Sequence, residues 1–423
     1  MINIRKLKNG LPVVLEVMPQ YRSASIGIYV KVGSAYENEK NNGISHVIEH
    51  MVFKGTEKRT AKELADEIAE IGGDVNAYTT KECTCYYATV LDENLFQAME
   101  LLGDMLTYST FNKEDLEKEK KVILDEIDLY DDSPEDVVHE YLHKQVWNSH
   151  PLGYLISGEK SVVEGFSSED VVAFMKQYYV AGNMVISVAG NFEEEGVFSK
   201  LEDIFSSIPV GASMKEQIEP KFHKVCLFEQ RQLEQVHLCL AYQGLSYERE
   251  ERYIFSVVNS VLGGNMNSRL FQILREDKGL TYSVYSYGCS YEKAGLIQIY
   301  ASCQPTQASK VAKGILSIID ELVEHGVTRE EFYKSKKLIR SEMILSKESP
   351  ESHMSYNGKS LLFRGEIPSL SQSLEKLEAV TIEEVNQFIK DYFYKKEVSF
   401  SIVGSKKAVP MKEIKELWGR KNC

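Results

Sequence analysis

Gly43-Ile-Ser-His46-Val-Ile-Glu49-His50-Met-Val-Phe53-Lys-Gly-Thr56 is the stretch that most constrains this chain. Read as a helix, it places His46 and His50 four residues apart, one turn above each other on the same face. Glu49, three residues from His46, projects close to that face. Two imidazoles so placed form half of a tetrahedral zinc site, and a neighbouring carboxylate can accept a proton from water activated there. The order His-x-x-Glu-His is the reverse of the commoner His-Glu-x-x-His. A metal site needs a third protein ligand, and an acid-rich helix downstream offers candidates.

That downstream segment starts at Asn112, a helix cap, and runs Lys113-Glu-Asp-Leu-Glu-Lys-Glu119-Lys-Lys-Val-Ile-Leu-Asp-Glu126-Ile127. Seven residues are almost two turns, so Glu119 and Glu126 share a side, about 10 Å apart along the axis. Most helical glutamates are solvated. Val122, Ile123 and Ile127 flank this pair, so the segment is expected to be part-buried, and a carboxylate at such a border needs a cationic partner.

Outward from these segments, the pattern is mixed α and β. Leu11–Val17 and Ser23–Val32 are β-branched runs with turn residues at Asn9-Gly10. Thr60 with Glu63 makes a capping box for a helix striped by Leu64, Ile68 and Ile71 and ended by Gly72-Gly73. Asp74–Thr80 and Cys83–Leu91 read as paired strands, and Asp92–Thr107 as an amphipathic helix.

A helix-then-strand pattern over 167–190 returns over 381–404. Phe174, Lys176, Tyr178, Ser187 and Gly190 match Phe388, Lys390, Tyr392, Ser401 and Gly404, all at an offset of 214. Ser167/Asp170 and Thr381/Glu384 are equivalent helix starts. Lys118-Glu-Lys-Lys121 is echoed by Lys334-Ser-Lys-Lys337 at an offset of 216. Such near-constant spacing indicates an internal duplication. It predicts two α+β domains, 1–209 and 223–423, joined by a linker over 210–222 with the composition of one. Only the first copy carries His-x-x-Glu-His. The second has its own distinctive run from Gly263 to Tyr285.

Composition bounds the rest. The 423 residues are 43% hydrophobic and 26% charged, as in globular domains. A net charge of −14 argues against a nucleic-acid partner, which would need basic patches. The N-terminus lacks the apolar run of a signal peptide, and no apolar segment approaches the ~20 residues that span a bilayer. A cytoplasmic protein without a membrane partner is expected. The seven cysteines are odd in number and scattered; Cys83-Thr-Cys85 lacks redox or zinc-knuckle spacing, so reduced thiols are expected.

Taken together, these residues resemble the M16, or pitrilysin, peptidases, in particular the short-chain branch similar to mitochondrial processing peptidase. The resemblance rests on His46 to Thr56, Asn76-Ala77-Tyr78, Glu119 to Glu126, the join between halves, and Arg275 with Tyr282. It implies zinc held by His46, His50 and Glu126, 76 residues after His50. Glu49 would be the general base, and Glu119 the supporting acid that orients the site. Asn76, Ala77 and Phe53 would contact substrate on and near an edge strand. Arg275 and Tyr282, from the second half, would bond the carbonyl or oxyanion. It further implies two antiparallel sheets, each with helices on one side and facing a closed chamber, acting on extended or unstructured peptides. The second half would serve substrate binding and dimer contact, in a homodimer. Every catalytic position of the family pattern is present.

Three rival readings stand beside this one. His139-Glu140-Tyr-Leu-His143 spells the ordinary zincin order, with Glu159, Glu164 and Glu169 as third-ligand candidates, although a packing pair is the alternative. A non-catalytic assembly subunit of the same fold would be expected to have lost ligands. A zinc lyase or hydrolase of small molecules would not cut peptides.

Overall fold

In the computed structural model, residues 2–212, 219–405 and 409–421 are described. Part of the predicted linker, 213–218, and Cys423 lie outside them. The elements run β1 Ile2–Lys6, β2 Pro12–Val17, β3 Ser23–Val30, α1 Ile44–Met51, α2 Ala61–Ile71, β4 Gly73–Thr79, β5 Thr84–Leu91, α3 Leu95–Tyr108, α4 Lys113–Asp131 and α5 Pro134–Val146. There follow α6 Lys160–Val163, α7 Ser168–Tyr178, β6 Met184–Gly190, α8 Glu194–Phe205, β7 Cys226–Gln230, β8 Val236–Gln243 and α9 Arg252–Leu262. The remainder is a π-helical turn Phe271–Asp277, β9 Ser283–Ser290, β10 Gly295–Cys303, α10 Ala308–His325, α11 Arg329–Leu345, α12 Pro350–Arg364, α13 Leu370–Ala379, α14 Ile382–Phe393, β11 Ser399–Gly404 and α15 Met411–Lys421.

The duplication is visible in the sheets. Their strand orders are β1-β2-β6-β3-β5-β4 and β7-β11-β8-β10-β9. In each, the strand that closes a helix–strand repeat enters between a parallel and an antiparallel neighbour. β6 pairs parallel with β2 and antiparallel with β3. β11 does the same with β7 and β8. The helices before those strands start alike, with complete capping boxes at Ser167/Asp170 and Thr381/Glu384. Gly190 is required where β6 ends. Its φ is +133°, and a Cβ there would stand 2.5 Å from Ala24 Cα.

Most helices lie on one face of each sheet. In the first unit, Val13, Leu15, Ile26, Ile28, Tyr86 and Ile186 meet the apolar stripes of α1, α3, α4, α7 and α8. In the second, Leu238, Leu240, Ile299 and Ile402 meet α9, α10 and α14. The opposite face of each sheet is not bare: α12 covers β3 and β6, and α5 covers β8 and β11. Both helices begin the same way, at Ser133-Pro134 and Ser349-Pro350, with the serine hydroxyl accepting from the third amide.

That second layer changes how the chain divides. One compact unit comprises 1–128, 154–216 and 346–367, and the other 129–153, 217–345 and 368–423. Each half of the sequence therefore gives one helical segment to the unit built around the other half's sheet, so the units are not two consecutive spans. A sheet interior with Val14, Tyr29, Cys85 and Val185 on its second face must be covered, and α12 supplies Met354 for this. Glu16 of β2 accepts from Asn357 of α12 (2.7 Å) and is 2.9 Å from His353 Nδ1, which anchors that helix. No helix among the described residues is long and apolar enough to cross a membrane.

Candidate metal centre

α1 has eight residues, fewer than the ~12–15 at which an isolated helix becomes marginally stable. Packing must therefore hold it. Ile44, Val47, Ile48 and Met51 are buried in the first unit's core, each contributing roughly 1.5–3 kcal/mol. The 3.6-residue repeat then turns His46, Glu49 and His50 to another side.

α4 provides the facing wall. Asn112 Oδ1 accepts from the Asp115 amide at 2.9 Å, the expected cap. Leu116, Ile123 and Ile127 are buried along one stripe, and Glu119 lies within it at 6% exposure. The segment is part-buried as expected: Ile123 and Ile127 are inside, while Val122 is 51% exposed. One residue's step from Ile123 turns it out of the stripe.

His46, His50 and Glu126 converge, with one ligand atom from each lying within 4.8 Å of the others. Glu126 Oε2 is 3.7 Å from His46 Nε2 and 3.4 Å from His50 Nε2. Both exceed ordinary hydrogen-bond lengths. They match the ~3.3 Å that separates two ligands of a tetrahedral zinc ion with bonds near 2.0 Å. Burial, with His50 beside it, holds His46 at a pKa of about 4, so its imidazole is neutral at pH 7 and has a lone pair to give. Two nitrogen donors and one carboxylate suit zinc. The residues therefore fit the ion.

The surrounding groups orient this set. His50 Nδ1 lies 3.1 Å from Glu119 Oε1, fixing the ring with Nε2 toward Glu126. Glu119 Oε2 is paired with Lys54 Nζ at 2.8 Å. Glu49 Oε2 accepts from Thr79 Oγ1 at 2.5 Å. Burial pushes the Glu49 carboxyl up, while the Thr79 hydroxyl draws it back. Neither Lys54 nor Thr79 is singled out by the sequence reading. Lys54 stands inside the opening stretch, four residues past His50, and Thr79 three past Asn76, but neither spacing announces a role.

The remaining predicted residues are placed as follows. Asn76 and Ala77 lie on β4, the edge strand of the first sheet, paired on one side with Tyr87 and Tyr86. The Ala77 amide donates to Asn76 Oδ1 at 2.9 Å. Phe53, one turn past His50, is half-buried against the first unit's core. Arg275 and Tyr282 lie in the second unit and pair with each other, the guanidinium carbon 4.9 Å from the Tyr282 ring centre. Tyr282 is 75% exposed.

The rival motif has partners of another kind. His139 and His143 sit on α5, against the second sheet. His139 Nδ1 is 2.9 Å from Tyr287 Oη and 3.3 Å from Cys239 Sγ. His139 Nε2 is 3.4 Å from Tyr285 Oη, which donates to Glu135 at 2.7 Å. Gln298 Nε2 donates to His143 Nε2 at 2.9 Å. Both imidazoles are thus hydrogen-bonded to groups of the second sheet, and neither belongs to a three-ligand cluster among the described residues.

Residues 12–160 match the family model for insulinase (peptidase family M16), and 165–339 match the peptidase M16 inactive domain. The chain belongs to the M16 peptidases. Among its relatives, the uncharacterised zinc protease YmxG of Bacillus subtilis is 41% identical, over 93% of this chain and 96% of that one. An uncharacterised zinc protease of Rickettsia felis is 40% identical over 82% and 84%. A crystal structure of a peptidase M16 inactive domain from Pseudomonas fluorescens superposes with a TM-score of 0.90 at 18% identity, covering 96% of this chain and 99% of that one. A protease from Helicobacter pylori gives 0.86 at 20% identity, covering 96% and 99%. These two likenesses speak for the fold, and the sequence relatives for a zinc peptidase family. The match labelled inactive falls mainly on the half without His-x-x-Glu-His.

Proposed function

We propose that this M16 chain is a zinc-dependent endopeptidase acting on extended or unstructured peptide segments. The observation that carries the reading is the convergence of His46 Nε2, His50 Nε2 and Glu126 Oε2 beside a separate half-buried carboxylate, Glu49. When bound, zinc would supply Lewis-acid polarisation and lower the pKa of water toward about 7.

The chain's own groups do the rest. Glu49 takes the proton of the water that attacks the scissile carbonyl and returns it to the leaving amine, as the new C–O bond forms and the C–N bond breaks. Thr79 keeps the Glu49 carboxylate from turning away. Glu119, clamped by Lys54, holds the His50 ring. The outer edge of β4, unpaired among the described residues, would accept a substrate backbone as an added strand. Ala77's amide then exchanges its bond to Asn76 for one to substrate. Main-chain pairing of this kind makes side-chain preference loose. The exposed Tyr282 hydroxyl beside Arg275 supports a role for both as substrate donors. We also propose a homodimer in the cytoplasm.

The test is to load wild-type protein and Glu49→Gln with zinc and incubate each with an unstructured peptide mixture. The expected outcome is new termini with the wild type, and kcat about 10²–10⁴-fold lower in the variant at unchanged zinc content. Full activity in Glu49→Gln would remove that residue from the chemistry. Stoichiometric zinc without any cleavage would remove the peptidase reading.

A further inference from the structure

The segment leading into α1 contains a carboxylate with no part in the chemistry above. Glu37 is 3% exposed. Its Oε2 accepts from the Gly43 amide at 2.7 Å and from Asn42 Nδ2 at 2.9 Å. Its Oε1 accepts from the Ser45 amide at 2.9 Å. Three donors thus meet one buried side chain, six to eight residues upstream of the amides it holds.

The need for these bonds is local. The first turn of a helix leaves amides without intrahelical partners. The N-cap of α1 is Gly43, which has φ +99° and no side chain to cap with. A capping side chain cannot be added there, because a Cβ on Gly43 would lie 2.8 Å from Gly158 Cα and from Ser157 O. The cap has to come from elsewhere, and Glu37 provides it with both oxygens. A carboxylate also suits the positive end of the helix dipole. Asn42 Nδ2 further donates to Leu155 O at 2.8 Å, tying the same turn to a second loop.

The consequence reaches the metal ligands. Ser45, whose amide Glu37 holds, is followed directly by His46. His50 has a positioning partner in Glu119, whereas His46 Nδ1 is buried without a hydrogen-bond partner among the described residues. The His46 ring is therefore placed by the backbone of α1's first turn, and that turn by Glu37.

We propose that Glu37 is a positioning residue for the metal helix: a buried two-oxygen bracket that fixes the start of α1 and thereby the place of His46 opposite Glu126. Zinc affinity, rather than substrate binding, depends on it. The assignment rests on the zinc-peptidase reading for its purpose, and on the Glu37 contacts with Asn42, Gly43 and Ser45 for its content.

The experiment uses the full chain, with Glu37→Gln as the main variant. Glu63→Gln is the control, at the exposed capping box of the neighbouring helix α2. Zinc affinity is measured by chelator competition, and amide hydrogen exchange over 43–51 is followed in the metal-free protein. Gln keeps one acceptor and turns an NH2 toward donors. Glu37→Gln should weaken zinc about 10–100-fold, the range for groups that orient metal ligands. The Gly43 and Ser45 amides should exchange faster, with KM changed less than about twofold. Glu63→Gln should leave zinc affinity unaltered. If Glu37→Gln fails to fold, Asn42→Ala, which removes one donor and leaves the carboxylate, should give a smaller shift of the same sign. Wild-type zinc affinity with faster exchange at these amides would overturn the proposal, as would unchanged exchange. A wild-type protein that binds zinc but cuts nothing fails the peptidase reading alone, since both readouts survive it.

Discussion

Two helices of this chain carry two histidines and a glutamate within five residues, and the structure treats them in opposite ways. On α1, two imidazole nitrogens and a carboxylate oxygen from α4 face one another at distances too long for hydrogen bonds and suited to a shared cation. On α5, the imidazoles are hydrogen-bonded to Tyr287 and Gln298, with Tyr285, Tyr291 and Cys239 close by. An imidazole whose lone pair is already engaged by a hydroxyl or amide is not available to a metal. Acceptors gathered without donors are what a cation repairs. The difference lies in the neighbours and not in the motif.

The largest expected effect tests that contrast directly. Replacing His46 or Glu126 with Ala should abolish stoichiometric zinc, measured by metal analysis after dialysis, whereas His139→Ala and His143→Ala should retain it. Loss of zinc in the α5 variants would break the distinction. Next is Glu119→Gln, which should weaken zinc about 10–100-fold by releasing the His50 ring. Affinity equal to wild type would mean that packing alone orients that ring.

A smaller effect belongs to α5 itself. His139→Ala leaves Tyr287 and Cys239 without their imidazole partner and should cost about 1–3 kcal/mol of stability, read by denaturant titration. The smallest concerns pH. Burial pushes the His139 pKa below its ordinary value of 6.5, despite Gln298 and Glu135 pulling it up. The unfolded chain then binds more protons than the folded one as pH falls below about 6.5. The stability from the neutral ring is complete above that pH and declines beneath it. The decline between pH 7.5 and 5.5 should be shallower in metal-free His139→Gln than in metal-free wild type; equal slopes would place the titration elsewhere.

Much of this was legible because it is local. The capping boxes at Thr60/Glu63, Ser167/Asp170 and Thr381/Glu384 are set by residues three apart, and all form. The repeat that predicts two similar sheets depends on spacing, which the chain preserves. His46, Glu49 and His50 need only a helix to share a face. Glu126 is nameable as the third ligand only through resemblance, because 75 residues of intervening chain hide its approach to His50. Val122 lies outside the stripe that Ile123 and Ile127 share, since an apolar residue beside a buried stripe need not belong to it.

The exchange of α5 and α12 between units, the clamp of Lys54 on Glu119, the Thr79 bond to Glu49 and the Glu37 bracket have no periodic signal. Each joins groups by through-space distance rather than by sequence interval. By itself the amino-acid order determined the helix that turns two histidines to one face, the duplicated α+β plan and the family. Only the tertiary structure decided which His-Glu-His helix stands among acceptors and which among donors. Lone pairs and protons are satisfied by whatever packs against them, and that is a property of neighbours in space.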